Sequence, residues 1–130
     1  MSIETLFEDF SRALTNRDAA GVAALVEFPA VVVTDTKTLA ITSQEQFLGF
    51  MSVVFAHFDA EGFQSIVYRP LHEQSASAAL SVCTLELHLT FRDGHSGDPI
   101  RETILVRTTP NGLRLVGAIG PHVLPEGMSR

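Results

Sequence analysis

Apolar positions along the chain change period once, and that change separates a helical first half from an extended second half. Over residues 3–14, apolar side chains fall at Ile3, Leu6, Phe7, Phe10, Ala13 and Leu14. This three-and-four spacing gathers them on one helical face, with Ser2 placed as the N-cap. A second, shorter helix is expected from Asp18 as its N-cap. It turns Val22, Leu25 and Val26 inward until Pro29 drives Phe28 out of the helical region. The β-branched run 30–34 then reads as a strand, and 39–41 as a brief extended piece that pairs back across the polar turn Asp35-Thr36-Lys37. Thr42-Ser43-Gln44-Glu45 reads as a capping box. It opens a third helix that runs to about Asp59 with Phe47, Phe50, Met51, Val54 and Phe58 on one face.

From Phe63 onward the alternation is twofold, and four strands are expected over 63–73, 78–92, 100–109 and 113–119. The clearest is 78–92. Ala79, Ser81, Cys83, Leu85, Leu87, Leu89 and Phe91 form its core row, and Thr84, Glu86, His88, Thr90 and Arg92 face the other way. Short polar links, Gln74-Ser75-Ala76-Ser77 and Pro110-Asn111-Gly112, imply an antiparallel meander. The segment 121–130, with two prolines and one glycine, is expected to be a loosely held tail of a single domain spanning 1–130.

Composition narrows the partners. With 45% hydrophobic residues, 130 residues bury a substantial core without disulfides or a structural metal. The net charge of −6 and the scattered Lys and Arg residues leave no basic patch, so neither nucleic acid nor an anionic membrane surface is an expected partner. A lone Cys83 forms no internal disulfide. Glu4, Glu8 and Asp9 stand where a secretion signal has a basic start and a continuous apolar core, so the expected compartment is the cytoplasm. On the outward row of the sheet, Ala78, Leu80, Val82, Leu105 and Val116 make an apolar patch that predicts a homodimer through the outer sheet face.

Three helices with a small strand pair before the third, followed by a long meander, make an α+β cone: N-terminal helices packed on a curved, mainly antiparallel sheet, a cystatin-like α+β roll. In this order of elements, from the Phe10 helix through Asn16-Arg17-Asp18-Ala19-Ala20-Gly21-Val22, the strand after Pro29, the Phe47 helix and the closing Gly112 strand, the chain resembles the nuclear-transport-factor-2-like superfamily, including its SnoaL-like and ketosteroid-isomerase-like members. The resemblance implies a cone that holds a small molecule, but the fold hosts many chemistries. Phe10 stands where the isomerases carry a catalytic tyrosine. Val106 stands where they carry a protonated aspartic acid, and a gapless count puts their base at Thr34, one residue short of Asp35. Both oxyanion donors are missing, so steroid isomerisation is not expected.

The candidate chemistry rests on carboxylates. Asp35 ends an apolar strand and reads either as a turn residue bonding the amides of Thr36 and Lys37 or as a base at the cavity rim. Glu102 shares its alternating face with Ile100, Ile104 and Val106, where a carboxylate is costly unless it is paired or set in a polar cavity. Arg69, on a face with Phe63, Val67 and Leu71, is its expected partner. Tyr68 is the alternative inward residue of that strand, and at most one of the two enters the cavity. Asp35 and Glu102 are thus the candidate catalytic residues, and Tyr68, Arg69, Phe10 and Phe55 the candidate substrate contacts. The five histidines show no metal-ligand spacing, and no phosphate loop, nucleophile elbow or CxxC is present, so no metal or cofactor is expected. The ligand expected is an apolar or mildly polar small molecule. Two readings stay open: a metal-free proton-transfer enzyme of isomerase, dehydratase or cyclase type, and a noncatalytic sensing or assembly module with a plugged, fully paired interior.

Overall fold

The computed structural model describes residues 2–120, so the tail expected over 121–130 lies outside the described residues. In chain order the elements are helix α1 (Ile3–Thr15), helix α2 (Ala19–Ala23), strands β1 (Val26–Val33) and β2 (Thr38–Ile41), helix α3 (Gln44–Glu61), and strands β3 (Phe63–Ser75), β4 (Leu80–Phe91), β5 (Ile100–Thr109) and β6 (Gly112–Ile119). The six strands form one sheet in the order β2-β1-β6-β5-β4-β3. Every neighbouring pair is antiparallel except β1 with β6, which run parallel. The architecture is the α+β arrangement expected, with a mixed sheet.

Side chains set the helix ends. Ser2 accepts from the Thr5 amide at the start of α1, and Asp18 accepts from the Gly21 amide at the start of α2. At α3 the box closes one residue later than Glu45: Ser43 accepts from the Gln46 amide, and the Gln46 side chain reaches back to accept from the Thr42 amide. Gly62, with φ 79°, ends α3 in the left-handed conformation that glycine adopts without steric cost. The second helix is shorter than expected. It stops at Ala23, and Leu25 and Val26 do not belong to it, because β1 begins at Val26 and runs through Pro29. Proline brings no amide to a ladder, and the pairing of β1 with β6 is interrupted between Val26 and Val31, the interval that contains it.

Two groups of buried side chains flank α1, whose apolar stripe serves both. Ile3, Leu6 and Phe7 pack with Cys83, Leu85, Ile104, Val106 and Leu115 of the central strands. Ala13 and Leu14, one turn and more further along, pack with α2, with Phe47, Met51, Val54 and Phe55 of α3, and with Val32, Ile41, Ile66 and Leu87. Bulges in β3, between Phe63 and Ser65 and again between Pro70 and His72, and in β6, between Leu115 and Gly117, set extra residues against β4 and β5. Such insertions bend a sheet and strengthen its twist, and space is left between its concave face and α3.

Candidate functional site

β3 is the last strand of the sheet, so one row of its backbone groups has no neighbouring strand. Two hydroxyls of α1, a turn apart, take up that row. The Ile66 amide donates to Thr15 Oγ1 at 3.0 Å, and that hydroxyl donates to the Ile66 carbonyl at 3.1 Å. The Tyr68 amide donates to Ser11 Oγ at 2.9 Å, and Ser11, itself buried, donates to the Phe7 carbonyl. This stitching covers part of an edge that would otherwise invite pairing and fixes the register of Ile66 and Tyr68. The sequence carried a signal for it, two hydroxyls at i and i+4 beside the apolar stripe of α1, but the alternation analysis gave them no role.

With Ile66 and Tyr68 inward, the Tyr68 hydroxyl reaches the carboxyl of Glu102 on β5 and donates to Oε2 at 2.9 Å. Glu102 follows Ile100 and precedes Ile104 on the same row and stands opposite Leu85 of β4. Only 3% of its surface is exposed. Its second oxygen, Oε1, is, among the described residues, the one buried side-chain nitrogen or oxygen without a hydrogen-bond partner. Burial pushes the carboxyl up from 4.5 to about 7, with the Tyr68 hydrogen bond acting the other way. Burial, and then the negative charge of Glu102, hold the Tyr68 hydroxyl well above its usual range. The tyrosine is therefore a neutral donor throughout the physiological range, and the carboxyl beside it changes its charge there.

Tyr68 and Glu102 line a cavity of about 640 Å³ between α3 and the sheet, within the roughly 300–1,000 Å³ typical of small-molecule sites. Its walls are largely apolar. Phe10 stacks at a tilt on Tyr68, with ring centroids 5.0 Å apart, and α3 supplies Phe47, Phe50, Met51, Val54 and Phe58. Thr34, Asp35 and Thr36 border the mouth, where Asp35 is exposed. His57, which nothing in the sequence set apart from the other histidines, also lines the space. Among the described residues no Lys or Arg does so, and no three His, Cys, Asp or Glu side chains converge as a metal site would require.

Three expectations are corrected. Arg69 does not pair with Glu102: it is exposed, stands opposite Glu86 of β4 and does not border the cavity. The bulge after Phe63 is the cause, because one inserted residue reverses the face of the residues that follow, up to the next bulge between Pro70 and His72. Val67, expected on the Phe63 face, is accordingly exposed, and Leu71, the extra residue of the second bulge, is exposed as well. Phe55 packs in the core against Phe58, with ring centroids 6.1 Å apart, and does not line the cavity. In the turn after β1 it is Thr34, not Asp35, whose side chain accepts from the amides of Thr36 and Lys37. Asp35 is left without a side-chain hydrogen bond among the described residues. Cys83 is buried beneath α1, with its thiol pushed up to about 11 by burial and by nearby Glu73, which removes it as a nucleophile.

The fold and its lined cone define an NTF2-like α+β protein. A family model described as "NTF2-like protein (DUF6841)" matches residues 1–122, and the chain belongs to that family. No curated protein matches the chain in sequence. Among solved structures it is similar to a domain from Thiobacillus denitrificans, provisionally described as a calcium/calmodulin-dependent protein kinase type II association domain. That match has a TM-score of 0.73 and 17% identity, and it covers 92% of this chain and 94% of the other. A domain with a cystatin-like fold from Nostoc punctiforme matches with a TM-score of 0.70 and 12% identity, covering 90% and 72%. A ketosteroid isomerase-like protein from Erwinia carotovora atroseptica matches with a TM-score of 0.63 and 17% identity, covering 90% of each chain. At these identities the likeness is one of fold.

Proposed function

We propose that the chain binds an apolar or mildly polar small molecule in the cone and exchanges a proton with it through Glu102, without a metal. The observation that carries this reading is the unpartnered Oε1 of Glu102 in an otherwise apolar cavity. A buried carboxyl is costly to keep half-satisfied, and one that titrates near neutrality serves equally as acid or base. Tyr68 holds the other oxygen and orients the carboxyl, Phe10 bounds the polar end, and Asp35 meets the ligand at the mouth. The site chemistry does not repeat that of the isomerases, since Phe10 and Val106 replace both of their oxyanion donors. The space beside Glu102 and the absence of an Arg69 pairing weigh against the plugged assembly module.

The same reading makes the protein a cytoplasmic homodimer, formed through the outer sheet face where Leu80, Val82 and Leu105 lie half-buried. Val67 and Leu71, 38% and 47% exposed, add apolar side chains on β3, with Val67 opposite His88 and apart from Leu80 and Val82, whereas Val116 is already covered within the chain. Native mass spectrometry of the freshly purified protein tests the binding claim. A small-molecule adduct that is released on collisional activation and is absent from Val54→Trp, which fills the cavity, is the expected result. A bare chain that also takes up no apolar fluorophore contradicts it.

A further inference from the structure

At the polar end of the cavity, Glu102 and Tyr68 carry two acceptor sites that no protein donor among the described residues fills. Glu102 Oε1 is unpartnered, and the Tyr68 oxygen, having given its proton to Oε2, retains lone pairs of its own. The charges fixed around them are carboxylates. Of the titratable side chains that face the cavity, Asp35 at the mouth is a carboxylate, Tyr68 stays neutral, His57 on α3 is the remaining one, and no Lys or Arg is present among the described residues. An anionic ligand would meet carboxylates and, among the described residues, no Lys or Arg. The remaining wall is aromatic, with Phe10, Phe47, Phe50, Phe58 and Phe63 turning rings toward the space, and aromatic faces attract cations. The net charge of −6 draws cations to the molecule as a whole.

Resting on the binding reading above, we propose that the ligand class is a hydrophobic amine, whose ammonium group donates to Glu102 Oε1 and to the Tyr68 oxygen while its hydrocarbon body fills the phenylalanine-lined space. A neutral alcohol satisfies one acceptor but leaves the carboxylate charge without a partner. An ammonium satisfies both acceptors and neutralises the charge, and hydrogen bonds between charged groups are about twice as strong as neutral ones. Binding is then coupled to proton release. The amine arrives protonated and requires ionised Glu102, so affinity rises as pH climbs through the titration of the carboxyl. It levels off until the amine itself deprotonates near pH ~10.

A rigid series that differs in a single group tests this: 1-adamantanamine, 1-adamantanol, 2-adamantanone and adamantane-1-carboxylate, measured by isothermal titration calorimetry at pH 6 and pH 8 in buffers of differing ionisation enthalpy. At pH 8 the amine is expected to bind about tenfold more tightly than the alcohol, and the carboxylate weakest of all. Between pH 8 and pH 6 the affinity of the amine should fall about tenfold, with close to one proton released per amine bound at the lower pH. In Glu102→Gln both the preference for amine over alcohol and the pH slope should vanish. Alcohol binding as tight as amine binding at pH 8, or an amine preference that survives in Glu102→Gln, overturns the proposal while leaving the binding reading intact. Tightest binding by the ketone, strengthening toward pH 6, overturns it in favour of a protonated Glu102 acting as donor. Failure of all four compounds to bind to a protein that still takes up an apolar fluorophore overturns the amine class alone; failure of the fluorophore as well removes the cavity reading with it.

Discussion

Glu102 is where sequence and structure agree on a tension but differ on how it is resolved. The alternation of Ile100, Glu102, Ile104 and Val106 puts the carboxyl on the inward row, and the structure has it there. What alternation could not supply is the partner. Arg69 and Tyr68 are adjacent, so a single inserted residue decides which of them faces inward, and Ile66-Val67-Tyr68, three apolar residues in succession, offer no polar position to fix the parity. The consequence can be measured. The folded protein holds the Glu102 proton more tightly than the unfolded chain does, so the contribution of this group to stability is complete below about pH 4.5 and is lost as pH rises through about 7. The stability of Glu102→Gln relative to the parent, read from urea unfolding, should therefore rise by ~2 to 3 kcal/mol between pH 5 and pH 8. A difference that does not vary with pH would place the carboxyl in water. Asp35 offers the contrast: it is exposed and makes no side-chain hydrogen bond among the described residues, so Asp35→Asn should leave the melting temperature within a degree or so of the parent.

Among the elements, the junction of α1 and α2 holds together more than its length suggests. Arg17 adopts φ 56°, a left-handed conformation that costs a residue with a Cβ roughly 1–2 kcal/mol. Its guanidinium donates to the carbonyls of Leu14, Thr15 and Phe63, pairs with Asp59 at 3.2 Å, and lies 5.5 Å from the centre of the Phe58 ring. One side chain thus ties the end of α1 to the end of α3 and the start of β3, and two of the residues it holds, Phe58 by its ring and Phe63 by its carbonyl, line the cavity. Loss of these bonds in Arg17→Ala should destabilise the protein by ~2 kcal/mol or more. Arg17→Gly should recover about 1 kcal/mol of that, because glycine adopts the same backbone conformation without strain. Equal stability of the two variants in thermal melts would mean that the left-handed conformation carries no cost. Hydrophobic periodicity does not register such a residue: in the sequence Arg17 is a polar position between two helices. Periodicity did locate every helix and strand. It misjudged the end of α2, where local helical spacing at Leu25 and Val26 yields to strand pairing with β6; Phe55, expected among the substrate contacts, belongs to the core.

At the scale of the whole molecule, the fold follows from the order of elements, whereas the site depends on bulges that pattern alone does not reveal. The outer sheet face is a case in point. The reversal that carries Tyr68 inward also sends Val67 outward, beside a charged strip where Glu86 bonds His88 at 2.6 Å and stands opposite both Arg69 and Arg101. A two-fold contact at the Leu80, Val82 and Leu105 end of this face would bury those side chains and leave the charged strip at a wet rim. Light scattering at micromolar concentration should give twice the chain mass for the parent and the single chain mass for Leu80→Glu; a monomeric parent would remove the dimer from the account. The central claim, that a single buried carboxyl governs the polar end of an apolar cavity, is tested most directly by following the glutamate side-chain carboxyl carbons by ¹³C NMR across a pH titration of the parent and of Glu102→Gln. One resonance with a midpoint at about 7 is expected in the parent and should be missing from the variant. If every glutamate in the parent instead titrates in the ordinary range near 4.3, Glu102 is solvated and the site described here does not exist.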